Sequence, residues 1–429
     1  MNKNINTVVI GGGCLGCASA ISTQRRLRKL YGIDDKQVCV IEKSMIGSGL
    51  TARHSGIVRA ANAIPKAAKL AKISIDYWKN LPEIWGVSCD FDANGALWIA
   101  HDTKHGKNEK WAKLSHSLKK LNIAFNEIDK NQAREICGNT IKFHDEEIYY
   151  YEPGAIQFDP SIVRDALFNA LNRNNIETHE QVSVEGFISD DNGHIKTVLT
   201  SAGDINCEHV VNAAGPWSPA LFDALGIFIP VSTEKVNVVN WLTSQIDINV
   251  NMPIIADYTN LAYYRVWHNG EIHMHQPRHR NIRETARIFS EHPLNITGAD
   301  FVNEPSNQYL GYGDIRVYEE IAKKRFENIE KAVYGSGYHS YFDITPDLKF
   351  ILGQDKTVGN LFHCLGSGQA FKYSPVFGEI IADCITGEGK HLNDIEEFSI
   401  SRFDAEYMKY FWDQVSGVDN TLETETISL

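Results

Sequence analysis

A chain of 429 residues is too long for one small core, so its length alone predicts at least two joined domains. With 43% hydrophobic and 22% charged residues, the composition is that of an ordinary globular protein and excludes a disordered chain. The formal net charge of −12 argues against nucleic acid or an anionic membrane surface as the main partner. An anionic substrate would therefore need a local basic pocket.

The N-terminus and the cysteines bear on location. Residues 1–6 lead directly into the first strand-like run without a signal peptide, and no apolar run is long enough to span a bilayer. The eight cysteines are scattered along the chain, which is typical of a reducing compartment. We therefore expect a cytoplasmic protein without a membrane span.

The first motif is a glycine loop between a strand and a helix. Residues 8–10 are a short apolar strand, and an Ala-rich helical pattern covers residues 14–29. Gly11 allows the tight turn, Gly13 lets the backbone approach a pyrophosphate, and Gly16 lets the helix pack close to the strand. The helix N-terminus supplies free N–H groups for phosphate oxygens. The phosphate loop is expected to comprise Gly11, Gly13, Cys14, Leu15 and Gly16.

A C-x-x-C pattern overlaps this loop. Cys14 and Cys17 have the spacing of a metal or redox motif, but no second cysteine pair lies nearby in the sequence. We interpret both as small residues packed beside the phosphate loop.

A second strand, residues 37–41, ends in Glu42. An acid at this place can accept hydrogen bonds from both ribose hydroxyls of an adenosine. The ordered series of strand, loop, helix, strand and acid predicts a dinucleotide site. The glycines themselves do not distinguish NAD from FAD.

The remaining elements follow in chain order. Helical periodicity predicts helices at residues 65–85, 111–121, 160–173, 315–332 and 376–385. Strand-like runs occur at residues 89–100, 149–156, 177–187, 208–213, 236–242, 261–267, 271–275 and 361–365. A polar connector is expected at residues 277–312 and a frayed acidic tail at residues 418–429.

The segment from Glu42 to Arg59, with its Gly-Ser-Gly, Thr, Arg and distal Ile-x-Arg, resembles the flavin loop of the D-amino-acid oxidase superfamily. The likeness is to the sarcosine and dimethylglycine oxidase and dehydrogenase group, and above all to beta subunits of heterotetrameric sarcosine oxidases. Further landmarks are Asn-Ala-Ala-Gly-Pro-Trp-Ser at residues 212–218, Thr-Pro-Asp at 345–347 and Gly-Ser-Gly-Gln-Ala-Phe-Lys at 366–372. The resemblance implies FAD as the cofactor, and it favours FAD over NAD.

The resemblance also assigns cofactor contacts beyond the glycine loop. These are Glu42, Lys43, Ser48, Thr51, Arg53, His54, Ser55, Gly56, Val184, Ala213, Ala214, Gly215, Trp217, Gly353, Gly366, Gly368, Gln369, Ala370, Phe371 and Lys372.

The fold that the resemblance implies is α/β. A Rossmann-like FAD-binding domain (residues 1–88, 150–229 and 336–400) would interleave with an α+β substrate domain (89–149 and 230–335) built on a mixed or antiparallel sheet. Residues 401–429 would form a C-terminal helix and tail.

Members of the superfamily oxidise a C–N bond next to a carboxylate by hydride transfer to flavin, after which the imine hydrolyses. Arg59 matches the family arginine that grips the carboxylate, a task suited to its planar fork. Lys372 matches a lysine that gives a second contact. Either cation could instead be an ordinary surface charge.

Other residues are expected on the substrate side. His273 takes the place of a lysine that promotes reaction with oxygen in monomeric sarcosine oxidases, with His275 as its neighbour, although a histidine on a sheet edge remains an equal alternative. Tyr258, Tyr264 and Arg265 are expected to line this side. Because side chains alternate along a strand, only one of Tyr263 and Tyr264 can point inward.

Covalent attachment of the flavin is not expected. Ser340 stands where monomeric sarcosine oxidases carry a linking cysteine, and Arg53 aligns with the linking histidine of dimethylglycine dehydrogenases. A shift of one residue would make His54 the candidate instead.

The function implied is oxidation of a small N-methylated, secondary or tertiary amino acid, with oxygen or an electron-acceptor protein as the oxidant. One alternative is a D-amino acid or 2-hydroxy acid dehydrogenase, since the same clamp accepts those acids. Another alternative is a flavin subunit of a larger electron-transfer complex. The chain could also assemble as a homo-oligomer. A fold that has lost its flavin is disfavoured because no glycine of the loop is missing.

Overall fold

The computed structural model describes residues 3–32, 37–101, 107–275, 310–389 and 395–416. Its strands are β1 Lys3–Ile10, β2 Val38–Glu42, β3 Ile57–Val58, β4 Ala96–His101, β5 Asn126–Ile128, β6 Glu147–Glu152, β7 Ile156–Gln157, β8 Glu177–Glu180, β9 Val184–Ser189, β10 Ile195–Thr200, β11 Ile205–Asn212, β12 Ser232–Leu242, β13 Ile254–Asp257, β14 Ala262–Val266, β15 Ile272–His275, β16 Val333–Ile344, β17 Ile351–Gln354 and β18 Leu361–Leu365. Its helices are α1 Cys14–Tyr31, α2 Pro65–Lys79, α3 Leu81–Ile84, α4 Lys107–Lys120, α5 Lys130–Cys137, α6 Pro160–Arg173, α7 Ser218–Phe222, α8 Tyr312–Arg325, α9 Ala370–Thr386 and α10 Ala405–Ser416.

The first sheet has the order β17-β18-β11-β1-β2-β8. The pairs β18–β11, β11–β1, β1–β2 and β2–β8 are parallel, and β17 joins β18 antiparallel. The strands β9 and β10 form an antiparallel pair that continues from β11. Because parallel strands end at the same edge, the glycine loop after β1, the acid at the end of β2 and the turn after β11 lie side by side.

Helices α1 and α9 pack closely beside this sheet. A side chain at Gly378 of α9 would overlap the backbone carbonyl of Ala18 in α1, so the two helices meet through small residues. A cluster of buried apolar residues from α1, α2, α6 and α9 fills the space against the sheet. This packing fixes the N-termini of α1 and α9 at the edge where the glycine loop lies.

The second sheet is mainly antiparallel, in the order β16-β12-β15-β14-β13-β4-β6-β5. Only the β13–β4 pair, among its described neighbours, runs parallel. The α/β prediction with a Rossmann-like sheet and a mixed second sheet is confirmed.

Three element predictions need correction. The helix expected at residues 65–85 breaks at Asn80 into α2 and α3, and Pro82 lies in the short second helix. The helix expected to reach residue 332 ends at Arg325, where Phe326 returns to extended backbone. Helix α5 was not predicted, although Asp129 and Gln132 form a capping box at its start.

The domain boundaries expected at residues 150 and 336 fall inside β6 and β16, which both belong to the second sheet. The chain returns to the first sheet only after those strands end. Of the predicted connector at 277–312, only residues 310–312 are described. The predicted tail at 418–429 lies wholly outside the described residues. Among the described residues, no helix is both long and apolar enough to cross a membrane.

Candidate active site

A cavity of about 880 Å³ runs between the edge of the first sheet and one face of the second. This volume lies in the range of small-molecule and cofactor sites. Of the predicted site residues, the wall contains Gly11, Gly13, Cys14, Leu15, Glu42, Lys43, Ser48, Thr51, Arg53, His54, Ser55, Arg59, Val184, Ala213, Ala214, Gly215, Trp217, Tyr258, Gly368, Gln369, Ala370, Phe371 and Lys372.

Four predicted glycines lie behind the wall. A Cβ at Gly16 would overlap the carbonyl of Gly11, and one at Gly56 would overlap the carbonyl of Phe158. Gly366 packs on Ala370, and a Cβ at Gly353 would meet Ile395. Gly16 and Gly56 thus pack closely against backbone, whereas Gly353 and Gly366 pack against side chains.

The glycine loop leaves the N-terminus of α1 facing the cavity. Gly11 adopts a φ of +105°, which favours glycine. The Cys14 N–H donates to Thr51 Oγ1 at 2.9 Å, which ties the loop to the segment at residues 50–53. The next N–H groups of the first turn have no partner within the helix, and the helix dipole is positive there. This arrangement suits a pyrophosphate.

Glu42 stands beside this loop. One carboxylate oxygen accepts from Gly12 N–H at 2.7 Å, and the other accepts from Ser44 N–H at 2.8 Å. Each oxygen can accept a further hydrogen bond, so the carboxylate remains able to bind ribose hydroxyls.

Lys43 and Trp217 flank the same part of the wall. The Lys43 Nζ lies 3.7 Å from the Trp217 ring centroid. The indole N–H of Trp217 is buried and has no hydrogen-bond partner among the described residues. Burial lowers the pKa of Lys43, and the charge of its neighbour Glu42 partly offsets this decrease.

His54 stacks on Phe371 with ring centroids 3.7 Å apart. Its Nδ1 accepts the Gly56 N–H at 2.7 Å, so the neutral ring carries its proton on Nε2. That buried Nε2 has no partner within the described part of the chain. Burial, and then the charge of Arg265, lowers the pKa of His54 to about 3, so the ring is neutral at physiological pH.

These observations show that the cavity fits FAD. The loop and the α1 N-terminus offer N–H groups for a pyrophosphate, and Glu42 offers acceptors for a ribose. The buried polar atoms of His54 and Trp217 that lack a partner among the described residues leave room for hydrogen bonds to a bound group.

Arg59 lines the end of the cavity that is predicted to bind the substrate, in a cage of aromatic rings. Its Nη2 donates to the Tyr263 hydroxyl at 3.1 Å, and its Nη1 donates to the Ala61 carbonyl. Its guanidinium carbon lies 4.5 Å from the Trp98 ring centroid. The Tyr258 and Tyr263 hydroxyls are 2.9 Å apart. A cation held in this way can bind a carboxylate.

Glu152 lies near Arg59, binds the backbone that follows it, and was not predicted as a site residue. Its carboxylate accepts from Ala60 N–H and Ala61 N–H, at 2.5 and 3.1 Å, and from the Trp98 indole at 3.2 Å. Burial raises its pKa, against the lowering effect of the Arg59 charge. The sequence signal was a lone acid in the apolar run at residues 149–156.

Lys372 lies in the first turn of α9 and is 4% exposed. Its Nζ donates to Gln369 Oε1 at 2.8 Å, and its backbone carbonyl accepts from Ser74 and Trp78. Burial, and then the Arg59 charge, holds the pKa of Lys372 well below its usual value. The structure thus brings Arg59 and Lys372 to one cavity, as the sequence predicted.

The predictions for β14 and β15 need correction. Tyr264 faces the core of the second sheet, 5.0 Å from the Phe326 ring, and Tyr263 lines the cavity instead. Arg265 donates to the Phe158 carbonyl and stacks on Trp267, so it lies off the cavity wall. Strand alternation explains the exchange of Tyr264 for Tyr263, because the pattern leaves the choice of face open.

His273 also lies off the wall. Its Nδ1 is 2.8 Å from Asn240 Oδ1, and the residue is 3% exposed. His275, two residues later on the same face, lines the cavity and stacks on Tyr263 with centroids 5.2 Å apart. Burial, and then Arg265 and Arg59, lowers the pKa of His275 to about 3.

The comparison with known protein families is decisive for the identity of the fold and cofactor. Residues 6–384 match the family described as DAO, FAD dependent oxidoreductase. The chain belongs to this family. FAD is therefore its cofactor.

Individual relatives are distant. The chain is 22% identical to a 4-methylaminobutanoate oxidase (formaldehyde-forming) of Paenarthrobacter nicotinovorans, over 95% of this chain and 47% of that protein. It is also 22% identical to a sarcosine oxidase subunit beta of Arthrobacter sp, over 95% and 93% of the two chains. The chain thus spans about half the length of the first relative and nearly all of the second.

Solved structures share the fold. An L-proline dehydrogenase from P. horikoshii superposes with a TM-score of 0.79 at 22% identity, covering 94% of this chain and 98% of that one. A glycine oxidase from Geobacillus kaustophilus gives 0.74 at 18% identity, covering 94% and 100%.

Proposed function

We propose that this FAD-dependent oxidoreductase oxidises the C–N bond of a small N-methylated, secondary or tertiary amino acid. The observation that carries the proposal is the caged Arg59 at the substrate end of the FAD cavity, with Lys372 on the same wall. Two relatives matched over 95% of this chain, a 4-methylaminobutanoate oxidase and a sarcosine oxidase subunit beta, support this substrate class.

Bound FAD supplies the hydride acceptor. The protein's own task is to orient the substrate so that its C–H bond points at the ring. Arg59 binds the carboxylate through its planar fork, and its hydrogen bond to Tyr263 fixes the direction of that fork. The C–H electron pair leaves as hydride, the amine lone pair forms the C=N bond of an iminium cation, and water adds to that carbon and hydrolyses the iminium with release of a proton.

The amine must be neutral when hydride leaves, because an ammonium nitrogen has no lone pair for the C=N bond. Burial beside the Arg59 guanidinium disfavours a second positive charge in this cavity. We propose that this electrostatic environment favours the neutral amine, with the released proton passing to solvent.

We propose that FAD is held without a covalent bond. Ser340 lines the cavity and offers no thiol, and the Nδ1 of His54 already accepts the Gly56 N–H. Acid precipitation should release the whole flavin into the supernatant. Flavin that stays with the pellet would contradict this assignment.

We further propose that the reduced flavin passes its electrons to a partner protein, or slowly to oxygen. We also propose that the chain works in the cytoplasm, either alone or as a subunit of a larger complex. A neutral His275 on the wall supports slow use of oxygen. The eight cysteines are all free thiols, which is compatible with a reducing compartment.

The test is anaerobic bleaching of the bound flavin by a panel of sarcosine, dimethylglycine, L-proline, D-amino acids and 2-hydroxy acids. We expect bleaching by N-substituted amino acids. Bleaching only by D-amino acids or 2-hydroxy acids would show that the substrate belongs to one of those classes instead. Bleaching by no compound of the panel would contradict the proposed function.

A further inference from the structure

A buried ion network adjoins the cavity, and one of its three members, Asp257, also lines the cavity wall. Arg325 ends α8, and its side chain and those of Glu147 and Asp257 are all fully buried. The Arg325 Nε and Nη2 donate to the two oxygens of Asp257, at 2.7 and 3.1 Å. Its Nη2 and Nη1 donate to Glu147 at 2.6 and 3.1 Å, and Nη1 also donates to the Lys142 carbonyl at 2.6 Å. All five guanidinium N–H groups are therefore used.

Such a network contributes little net stability, because removing three charges from water offsets most of their attraction. What it does fix is geometry. A guanidinium whose five donors are all engaged holds both carboxylates in single orientations.

Asp257 transmits that orientation to the turn between β13 and β14. Its Oδ1 accepts from the backbone N–H groups of Thr259 and Asn260, at 3.1 and 3.0 Å. Its Oδ2 accepts from the Asn260 side chain at 2.9 Å. Leu261 in this turn has a φ of +55°, a conformation that a leucine rarely adopts, so the turn needs such support.

This turn carries Tyr258 into the substrate end of the cavity. The Tyr258 ring stacks on Trp98 with centroids 5.7 Å apart and an angle of 11°. Its hydroxyl lies 2.9 Å from that of Tyr263, which accepts from Arg59 at 3.1 Å. An unbroken chain of contacts therefore leads from Arg325 through Asp257 and the turn to Arg59.

We propose that Arg325 is a positioning residue: through Asp257 it sets the place of the Tyr258 hydroxyl, and thereby the orientation of Arg59 toward the substrate carboxylate. This inference rests on the function proposed above. Arg325 does not line the cavity, so it acts on the reaction only through the residues that it holds. Helix α8, which ends at Arg325, would thereby influence which substrates are bound.

A double-mutant cycle with Arg325→Lys and Tyr258→Phe tests the proposal. Lysine keeps the charge but cannot bind both carboxylates with a planar fork. We expect Arg325→Lys to lower kcat/KM for the preferred amino acid by roughly 10- to 100-fold, because misplacing a clamp by about 1 Å has effects of this size. In the Tyr258→Phe background the same change should have less than a threefold effect, since its route to Arg59 is already broken.

The matched control is Arg26→Lys. Arg26 forms an ion pair with Asp383 between α1 and α9 and does not line the cavity. We expect it to change thermal stability without changing kcat/KM. Flavin content and the affinity for acetate, a carboxylate that does not react, are measured for every variant. Weaker acetate binding in Arg325→Lys at full flavin content supports the proposal.

The outcomes are separable. If the wild-type protein bleaches with an amino acid and the effects of Arg325→Lys and Tyr258→Phe simply multiply, the proposal is overturned while the proposed function stands. If no amino acid reduces the wild-type flavin, the proposed function itself fails. If Arg325→Lys does not fold, the cycle is run with Asp257→Asn, which keeps the side-chain volume, and multiplicative effects there overturn the proposal equally.

Discussion

Arg59 combines three kinds of contact: a hydrogen bond to Tyr263, a backbone hydrogen bond, and the face of Trp98. Glu152 holds the neighbouring backbone N–H groups of Ala60 and Ala61 in place. Because these contacts preorganise the Arg59 side chain for a carboxylate in one orientation, less conformational entropy is lost when a substrate binds.

Replacing Arg59 with Ala should therefore lower the specificity constant strongly. Losing a charge-assisted contact in a desolvated site costs about 2–4 kcal/mol, roughly 30- to 1000-fold in kcat/KM. FAD should remain bound, because the glycine loop is unchanged. The exposed Arg164→Ala, whose side chain is 49% exposed, is the matched control and should behave as wild type. Unchanged kinetics in Arg59→Ala would show that the carboxylate is bound elsewhere.

His275 leads to a prediction about oxygen. Reaction of reduced flavin with oxygen passes through a superoxide-like anion, which a nearby cation stabilises. A histidine whose pKa is lowered to about 3 is neutral and cannot do this. We expect His275→Lys to speed reoxidation in stopped-flow mixing with air-saturated buffer, with the exposed His116→Lys as control. Wild-type reoxidation as fast as turnover, and insensitive to His275→Lys, would refute the idea.

Elements were predicted well wherever a local motif determines them. The glycines after β1, the acid at the end of β2 and the bounds of α6, Pro160–Arg173, all follow from short-range signals. The choice between Tyr263 and Tyr264 could not be made, because alternation shows that they face apart but not which face meets FAD. The offset from His273 to His275 is two residues on one face, and tertiary packing alone decides which of them reaches the cavity.

The helix–strand contact at Gly16 gives a prediction at this scale. Gly16→Ala should abolish FAD binding or folding, since its Cβ would overlap the Gly11 carbonyl. The matched control is Gly313→Ala in α8, where a Cβ meets nothing within 4 Å. Flavin absorbance per mole of purified protein measures both. A Gly16→Ala protein with full flavin content would contradict this packing.

The molecule as a whole joins two sheets around one cavity, and the sequence could not show how they meet. Long-range contacts such as that of Arg325 with Asp257 join residues 68 positions apart and leave no local pattern. The network of Arg325, Glu147 and Asp257 could not be predicted from the sequence for this reason.

Stability should depend on pH through the buried histidines. His54 and His275 have folded pKa values of about 3, below the ordinary value of 6.5. Between those values the unfolded chain binds protons that the folded chain rejects, so stability is lost as pH falls from 6.5 toward 3. Urea midpoints at pH 7 and pH 5 should differ less in His54→Gln than in wild type, whereas the exposed His116→Gln should keep the wild-type difference. An identical pH dependence in His54→Gln would show that His54 is not held neutral.

Arg59 is proposed to select amino acids by their carboxylate. The most direct measurement compares anaerobic flavin reduction by one substrate amino acid and by the amine of the same skeleton without its carboxylate. We expect the wild-type protein to favour the amino acid by roughly 30- to 1000-fold in the second-order rate constant of reduction. In Arg59→Ala the two rate constants should lie within a few-fold of each other. Equal rate constants for both compounds in the wild-type protein would contradict this role of Arg59.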